Sequence, residues 1–429
     1  MNLASYSRST TPLSGELTEL IPHEIYDYII SFLDDGLTLK SCSLTCRAWL
    51  KTSWKCLFAG ESLVVHRDNI YDLLEIIERD IHTVTIIRFV ERLYIEQGGS
   101  RRLPFGIDDG DTQVFQFDEF LSRLVGFKSV RMLRLGWIRG DIGPPTMTSL
   151  QNNFGAGVTS LELNSVVLRS VLQFFEILHA LPRLTSLTLA GLSLAGGLED
   201  YTYYSQVPGT LVALVQPETT PRPPQLNELC CNVVKEVTKF IFSWLVSHGS
   251  IPIQTLAVGL FDGPTNYTVS HFLAESGSAI ETVKLWDAYT ATGFDLSPCT
   301  NLRTLRMGWI HLSSTSPPGS ETFVTDVLKT VSSTCLEEVL VVVQILISNS
   351  PGVDRDLAAF DWKGLVSVLQ HPRFQSLRRF HFAVPSHAQV VVQSLMKHIK
   401  PVVASGKLPF DPSVFSVVGW SRSEYAGNW

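Results

Sequence analysis

The chain has 429 residues, of which 45% are apolar and only 17% charged, so it can bury a large core and is not intrinsically disordered. Its net charge of −7, without any run of Lys or Arg, argues against a nucleic-acid partner, because phosphate neutralisation needs a clustered basic face. No stretch approaches the ~20 apolar residues of a membrane span and the N-terminus lacks the apolar core of a signal peptide, so no membrane partner and a cytoplasmic or nuclear location are expected.

Residues 1–15, rich in Ser and Thr, are expected to form a flexible tail. From Leu17 the pattern changes. "LTELIPHEIYDYIISFLDD" places Ile25, Ile29, Phe32 and Leu33 on one helical face, with Pro22 at the start, where a missing N–H costs nothing. After an Asp-Asp-Gly turn, "LTLKSCSLTCRAWLKTSWKCLF" sets Leu39, Cys42, Cys46 and Trp49 on a common stripe. The spacing therefore predicts a helical domain over 16–60, close to the lower size limit for independent folding.

Beyond residue 60 a different rhythm begins. Short L-x-L pieces recur: Leu63/Val65, Leu93/Ile95, Leu133/Leu135, Leu161/Leu163, Leu187/Leu189, Leu229/Cys231, Leu256/Val258, Val283/Leu285, Leu305/Met307, Val339/Val341 and Phe380/Phe382. Their steps of 30, 40, 28, 26, 42, 27, 27, 22, 34 and 41 residues include several in the range of leucine-rich repeats. Segments of helical period, such as "KEVTKFIFSWLVSHG", lie between them, so parallel strands with helical crossovers are expected. The fold class is α/β: an irregular leucine-rich-repeat-like solenoid over 61–408, with strand leucines inside, helices on the convex side and alternate residues on a concave sheet face. No piece carries the full repeat consensus, so an asparagine ladder is not expected. The 195–225 region reads as a long loop, and the aromatics of 409–429 as a cap or tail.

Residues 17–58, with "IPHEIYDYIISFL" followed by "SLTCRAWLKTSWKCLF", resemble an F-box domain of the fungal type. Ile21 replaces the usual leucine before the proline, and Thr45 the usual valine before the cysteine. The resemblance implies a three-helix unit that docks on the Skp-family adaptor and, through it, the cullin of an SCF-type ubiquitin ligase, while the repeats bind an unknown protein substrate. The adaptor contacts it implies are Leu20, Pro22, Ile25, Ile29, Leu44, Cys46, Arg47 and Trp49. A non-ligase assembly protein using the adaptor alone is the alternative, and an enzyme with a pocket beside the 195–225 loop ranks last.

The candidate substrate contacts are the outward strand positions Arg92, Tyr94, Arg134, Glu162, Lys284, Arg306, Arg379 and His381. Trp137 and Trp309, each in a "GWI" after an L-x-L strand, share the parity of the inward leucines and are expected in the interior. The seven cysteines include no C-x-x-C pair and read as reduced, mostly buried thiols. The eleven histidines form no H-E-x-x-H pattern, and phosphate-binding glycine loops are missing, so no catalytic residue, metal or cofactor is assigned.

Overall fold

The computed structural model describes residues 22–45, 47–60, 62–66, 68–79, 87–97, 117–138, 142–194, 222–249, 251–260, 262–286, 291–311, 321–344, 357–385, 389–404, 408–409 and 411–420. Three helices open this part of the chain: α1 (His23–Ser31), α2 (Gly36–Thr45) and α3 (Arg47–Gly60). They enclose a small core of Ile30, Leu39 and Leu57, with Leu33, Trp49 and Cys56 packed against it. Thr52 donates a hydrogen bond to Asp27, tying α3 to α1. Two details differ from the periodicity. The Leu39–Trp49 stripe is divided between two helices that part at residue 46. In α1 the core takes Ile30, while Ile25, Ile29 and Phe32 stay exposed.

The rest is α/β, built on a twelve-stranded sheet in which every pair is parallel. Its strands are β1 (Ser62–His66), β2 (Arg92–Glu96), β3 (Met132–Gly136), β4 (Ser160–Asn164), β6 (Ser186–Ala190), β8 (Glu228–Asn232), β9 (Thr255–Gly259), β10 (Thr282–Trp286), β11 (Thr304–His311), β12 (Glu338–Gln344), β13 (Arg379–Pro385) and β14 (Phe415–Trp420). They lie side by side in chain order, and the two-residue strands β5 (Val167–Leu168) and β7 (Ser193–Leu194) form a separate pair. All eleven L-x-L pieces fall on strands. Residues 415–420, expected within a cap or tail, supply the twelfth strand, in register with β13.

Alternation explains the layering. Leu133, Leu161, Leu187 and Leu229 stand opposite one another in register, as do Leu135, Leu163, Leu189 and Cys231, and all are buried. Helices close this inner side, among them α4 (Ile70–Arg79), α5 (Phe117–Arg123), α6 (Pro144–Ser149), α7 (Val171–Ala180), α8 (Lys235–Ser247), α9 (Gly263–Ser276), α10 (Phe323–Thr330), α11 (Trp362–Leu369) and α12 (Gln389–Ala404). Trp244 of α8 lies 5.1 Å from Phe175 and 6.0 Å from Phe174 of α7, joining the helices on either side of the long 195–225 region. Phe58 of α3 packs against both the helical core and the sheet core, so the N-terminal unit leans on the larger domain.

Backbone bonds at the strand entries fix the register. Thr159 and Ser160 N–H both donate to the Arg131 carbonyl, Thr185 and Ser186 to Thr159, and Asn227 and Glu228 to Thr185; the same fork recurs through Arg378 and Arg379 onto Glu337. At the exits the direction reverses: Trp137 N–H donates to Asn164, Ser165 to Ala190 and Gly191 to Asn232. These three exit residues share a left-handed backbone, with φ of 55°, 55° and 64°. The strand ends at Gly136, and the turn swings Trp137 outward to 47% exposure, which corrects the interior placement expected for it. The Trp309 side chain lies outside the described residues.

Polar side chains tie successive strand–helix units together. Gln173 donates to the Ile142 carbonyl at 2.9 Å and accepts from Arg169 N–H at 2.9 Å, and Ser333 Oγ donates to the Leu302 carbonyl at 2.8 Å. Arg373 donates to the Leu328 and Lys329 carbonyls, filling acceptors left open near the end of α10. Among the described residues, no helix is long and apolar enough to cross a membrane, and no group of three or more His, Cys, Asp or Glu is arranged to hold a metal.

Candidate functional site

Two surfaces stand out from this frame. The first is the outer side of α1 and α2. Pro22 is the residue before α1, where it starts the helix without wasting a donor. Ile25 and Ile29 follow one turn apart and are both exposed, with Tyr28 and Phe32 beside them in an edge-on ring pair at 4.6 Å. On α2, Leu37 and Leu44 point to solvent, Leu44 at 86% exposure. Of the fifteen large hydrophobic side chains exposed among the described residues, these six fall within residues 25–44. Isolated exposed leucines need no explanation, but a concentration within one short stretch, on two helices that both pack on α3, marks an interaction surface.

The adaptor contacts implied by the resemblance therefore divide. Ile25, Ile29 and Leu44 lie on the exposed apolar surface, and Pro22 is exposed at its margin. Trp49 is half-buried, its ring 5.6 Å from that of Tyr26 and packed against the helical core. Leu20, Cys46 and the Arg47 side chain lie outside the described residues. Tyr28 and Leu37 were not singled out from the sequence; Phe32, placed there on the same helical face as Ile25 and Ile29 and lying at i+3 from Ile29, was not assigned to the adaptor.

The second surface is the open side of the sheet. One outward row runs in register through Tyr94, Arg134, Glu162, Thr188, Cys230, Ala257, Lys284, Arg306, Leu340, His381 and Ser416. A parallel row carries Arg92, Glu228, Glu338 and Arg379. Every predicted substrate contact thus lies on this side, in two groups separated by β6 to β9. In the first, Arg134 Nε is 3.3 Å from Glu162 Oε1 and its guanidinium stacks over the Tyr94 ring at 5.2 Å. In the second, Glu338 faces Arg306 at 3.6 Å and Arg379 at 2.6 Å, and is only 12% exposed. Glu338 was missed although the alternation along "EEVLVVV" puts it on the same side as Arg306.

The second group is electrostatically stressed. Burial, followed by the neighbouring Arg306 charge, pushes the Lys284 ammonium below its ordinary range, with Glu228 opposing. Burial likewise lowers His381, against the pull of Glu338, and its Nδ1 bonds to Ser416 Oγ. Cys230, Ala257 and Trp286 form a small apolar cluster on the adjoining strands. Burial raises the Cys230 thiol to about 12, so this cysteine is a packing residue rather than a nucleophile.

The chain matches no protein-family model and no curated protein. Assignment of function rests on these two surfaces.

Proposed function

We propose that this chain is an F-box protein: a substrate-recognition subunit of an SCF-type ubiquitin ligase, with a leucine-rich-repeat-like solenoid behind its adaptor-binding domain. The observation that carries this reading is the set of apolar side chains exposed on α1 and α2 of a unit in which, among the described residues, three hydrophobic side chains are buried, Ile30, Leu39 and Leu57. Such a unit gains a second core by helix-in-groove docking, and its position ahead of a large parallel-sheet domain leaves that domain free to hold a target. In this reading the Skp-family adaptor covers Ile25, Ile29 and Leu44, and a protein substrate occupies the open sheet face. The chain supplies no catalytic group. It raises the effective concentration of substrate near the charged conjugating enzyme, a contribution of position alone.

Reconstitution tests the proposal. The full chain, a Skp-family adaptor and a cullin are expected to co-elute as one ternary complex on size-exclusion chromatography. A chain that binds the adaptor while excluding the cullin would replace the ligase role with an assembly role, and a chain that binds neither would overturn the proposal.

A further inference from the structure

The open face of β10–β13 differs from the rest of the sheet in charge. Lys284, Arg306 and Arg379 are three cationic side chains on it, and among the described residues of these strands the outward carboxylate is Glu338, which faces both arginines. The nearest further carboxylate on the outward rows is Glu228, two strands away on β8, where Ser186 Oγ donates to it at 3.1 Å. In the N-terminal group, by contrast, Arg134 is paired with Glu162. A local excess of positive charge therefore sits on a chain whose net charge is −7.

Two features make that excess effective. Lys284 and Arg306 are direct register partners on adjacent parallel strands, so like charges are held side by side. The Cys230, Ala257 and Trp286 cluster lies against the same strands and thins the water on one flank, which strengthens any ion pair formed there. An anionic group placed between Lys284 and Arg306 relieves their repulsion and recovers part of the lost solvation. The rise between strands is about 4.8 Å, so the three steps from Lys284 to His381 span about 14 Å, the reach of four or five extended residues.

We propose that the β10–β13 part of the open face binds an acidic peptide segment of a partner protein, with one carboxylate received between Lys284 and Arg306 and a second by Arg379. This deepens the proposed function, on which its ligase meaning rests, by naming the class of substrate segment. A nucleic acid fits less well, because Glu162, Glu228 and Glu338 stand on the same face and would oppose a continuous line of phosphates.

The test is selection of a random displayed peptide library on the intact full chain, followed by binding of the enriched peptides to the wild type, K284Q/R306Q and K284E/R306E. Enriched peptides with clustered Asp or Glu are expected, with affinity that falls as salt rises and a loss of about tenfold or more on charge reversal, in variants that keep a single cooperative unfolding transition well above the assay temperature. The milder glutamine pair should lie between the two. Neutral or basic enriched peptides, no enrichment, equal binding by the charge-reversed chain, or preferential binding of a single-stranded oligonucleotide in the same assay would overturn it. Adaptor binding by the same variants keeps the two proposals apart: it survives if only the acidic site is wrong, and is missing from the wild type if the function itself is wrong.

Discussion

Within the N-terminal unit, two leucines of the same helix should have opposite uses, and substituting each with alanine separates core from contact. Leu39 is 3% exposed and is one of three buried hydrophobic side chains among the described residues of that unit, whereas Leu44 is 86% exposed. Truncating a buried leucine typically costs about 2–5 kcal/mol, while a unit of roughly forty residues has about 2–6 kcal/mol of stability in total. Leu39→Ala should therefore remove most of the unit's resistance to local opening. Leu44→Ala should change it by no more than about 0.5 kcal/mol, since alanine keeps the helix propensity and almost nothing covers the leucine. Hydrogen exchange read by mass spectrometry on the full chain measures both. Peptides from 22–60 should lose protection in Leu39→Ala, with some spread into β1 through Phe58, while peptides from β4 and β6 stay protected. Equal effects of the two substitutions, or a larger effect at Leu44, would refute the division of faces on which the docking argument stands.

Three further outcomes are expected. Gly191→Ala forces a side chain into a left-handed turn with φ of 64°, and after the gain in unfolded-state stiffness should still lower stability by about 1 kcal/mol in urea unfolding; Ser165→Gly, at the equivalent turn, should not. Native-state maleimide labelling should modify Cys335, which is exposed, and spare Cys230 and Cys299, whose thiols burial holds at about 12, until the chain is unfolded. His381 is lowered chiefly by burial, so the unfolded chain takes up its proton first as pH falls through about 6.5. The stability it contributes is present above that pH and lost below it, so His381→Gln should flatten the fall in urea midpoint between pH 7.5 and 5.5.

The sheet was legible because an L-x-L piece states both a strand and its buried side, and the eleven pieces needed nothing beyond that alternation. The same alternation failed at Trp137, since parity cannot register a chain that turns left-handed after Gly136. It also passed over residues 415–420, where aromatic content suggested a cap although Phe415 pairs in register with Phe380, ring centres 5.0 Å apart, and packs against the sheet core. The helical unit was legible as helices but not as faces: Ile29 and Ile30 are chemically identical neighbours, and only the packing of α3 decides that Ile30 goes inside. The polar ties through Gln173, Ser333 and Arg373 were invisible because each joins residues about thirty or more positions apart. Glu338 is similar, as its importance comes from two arginines on neighbouring strands.

Isothermal titration of the purified full chain with a Skp-family adaptor tests the central claim most directly, with an Ile29→Ala/Leu44→Ala chain beside the wild type. Ile29 is 54% exposed and Leu44 86%, and full burial of such side chains contributes about 1.5–3 kcal/mol each, so covering both contributes about 2–4 kcal/mol. A one-to-one complex is expected, weakened by about 30-fold to 1,000-fold in the double substitution without loss of helical content. No binding by the wild type, or equal binding by both chains, would contradict it.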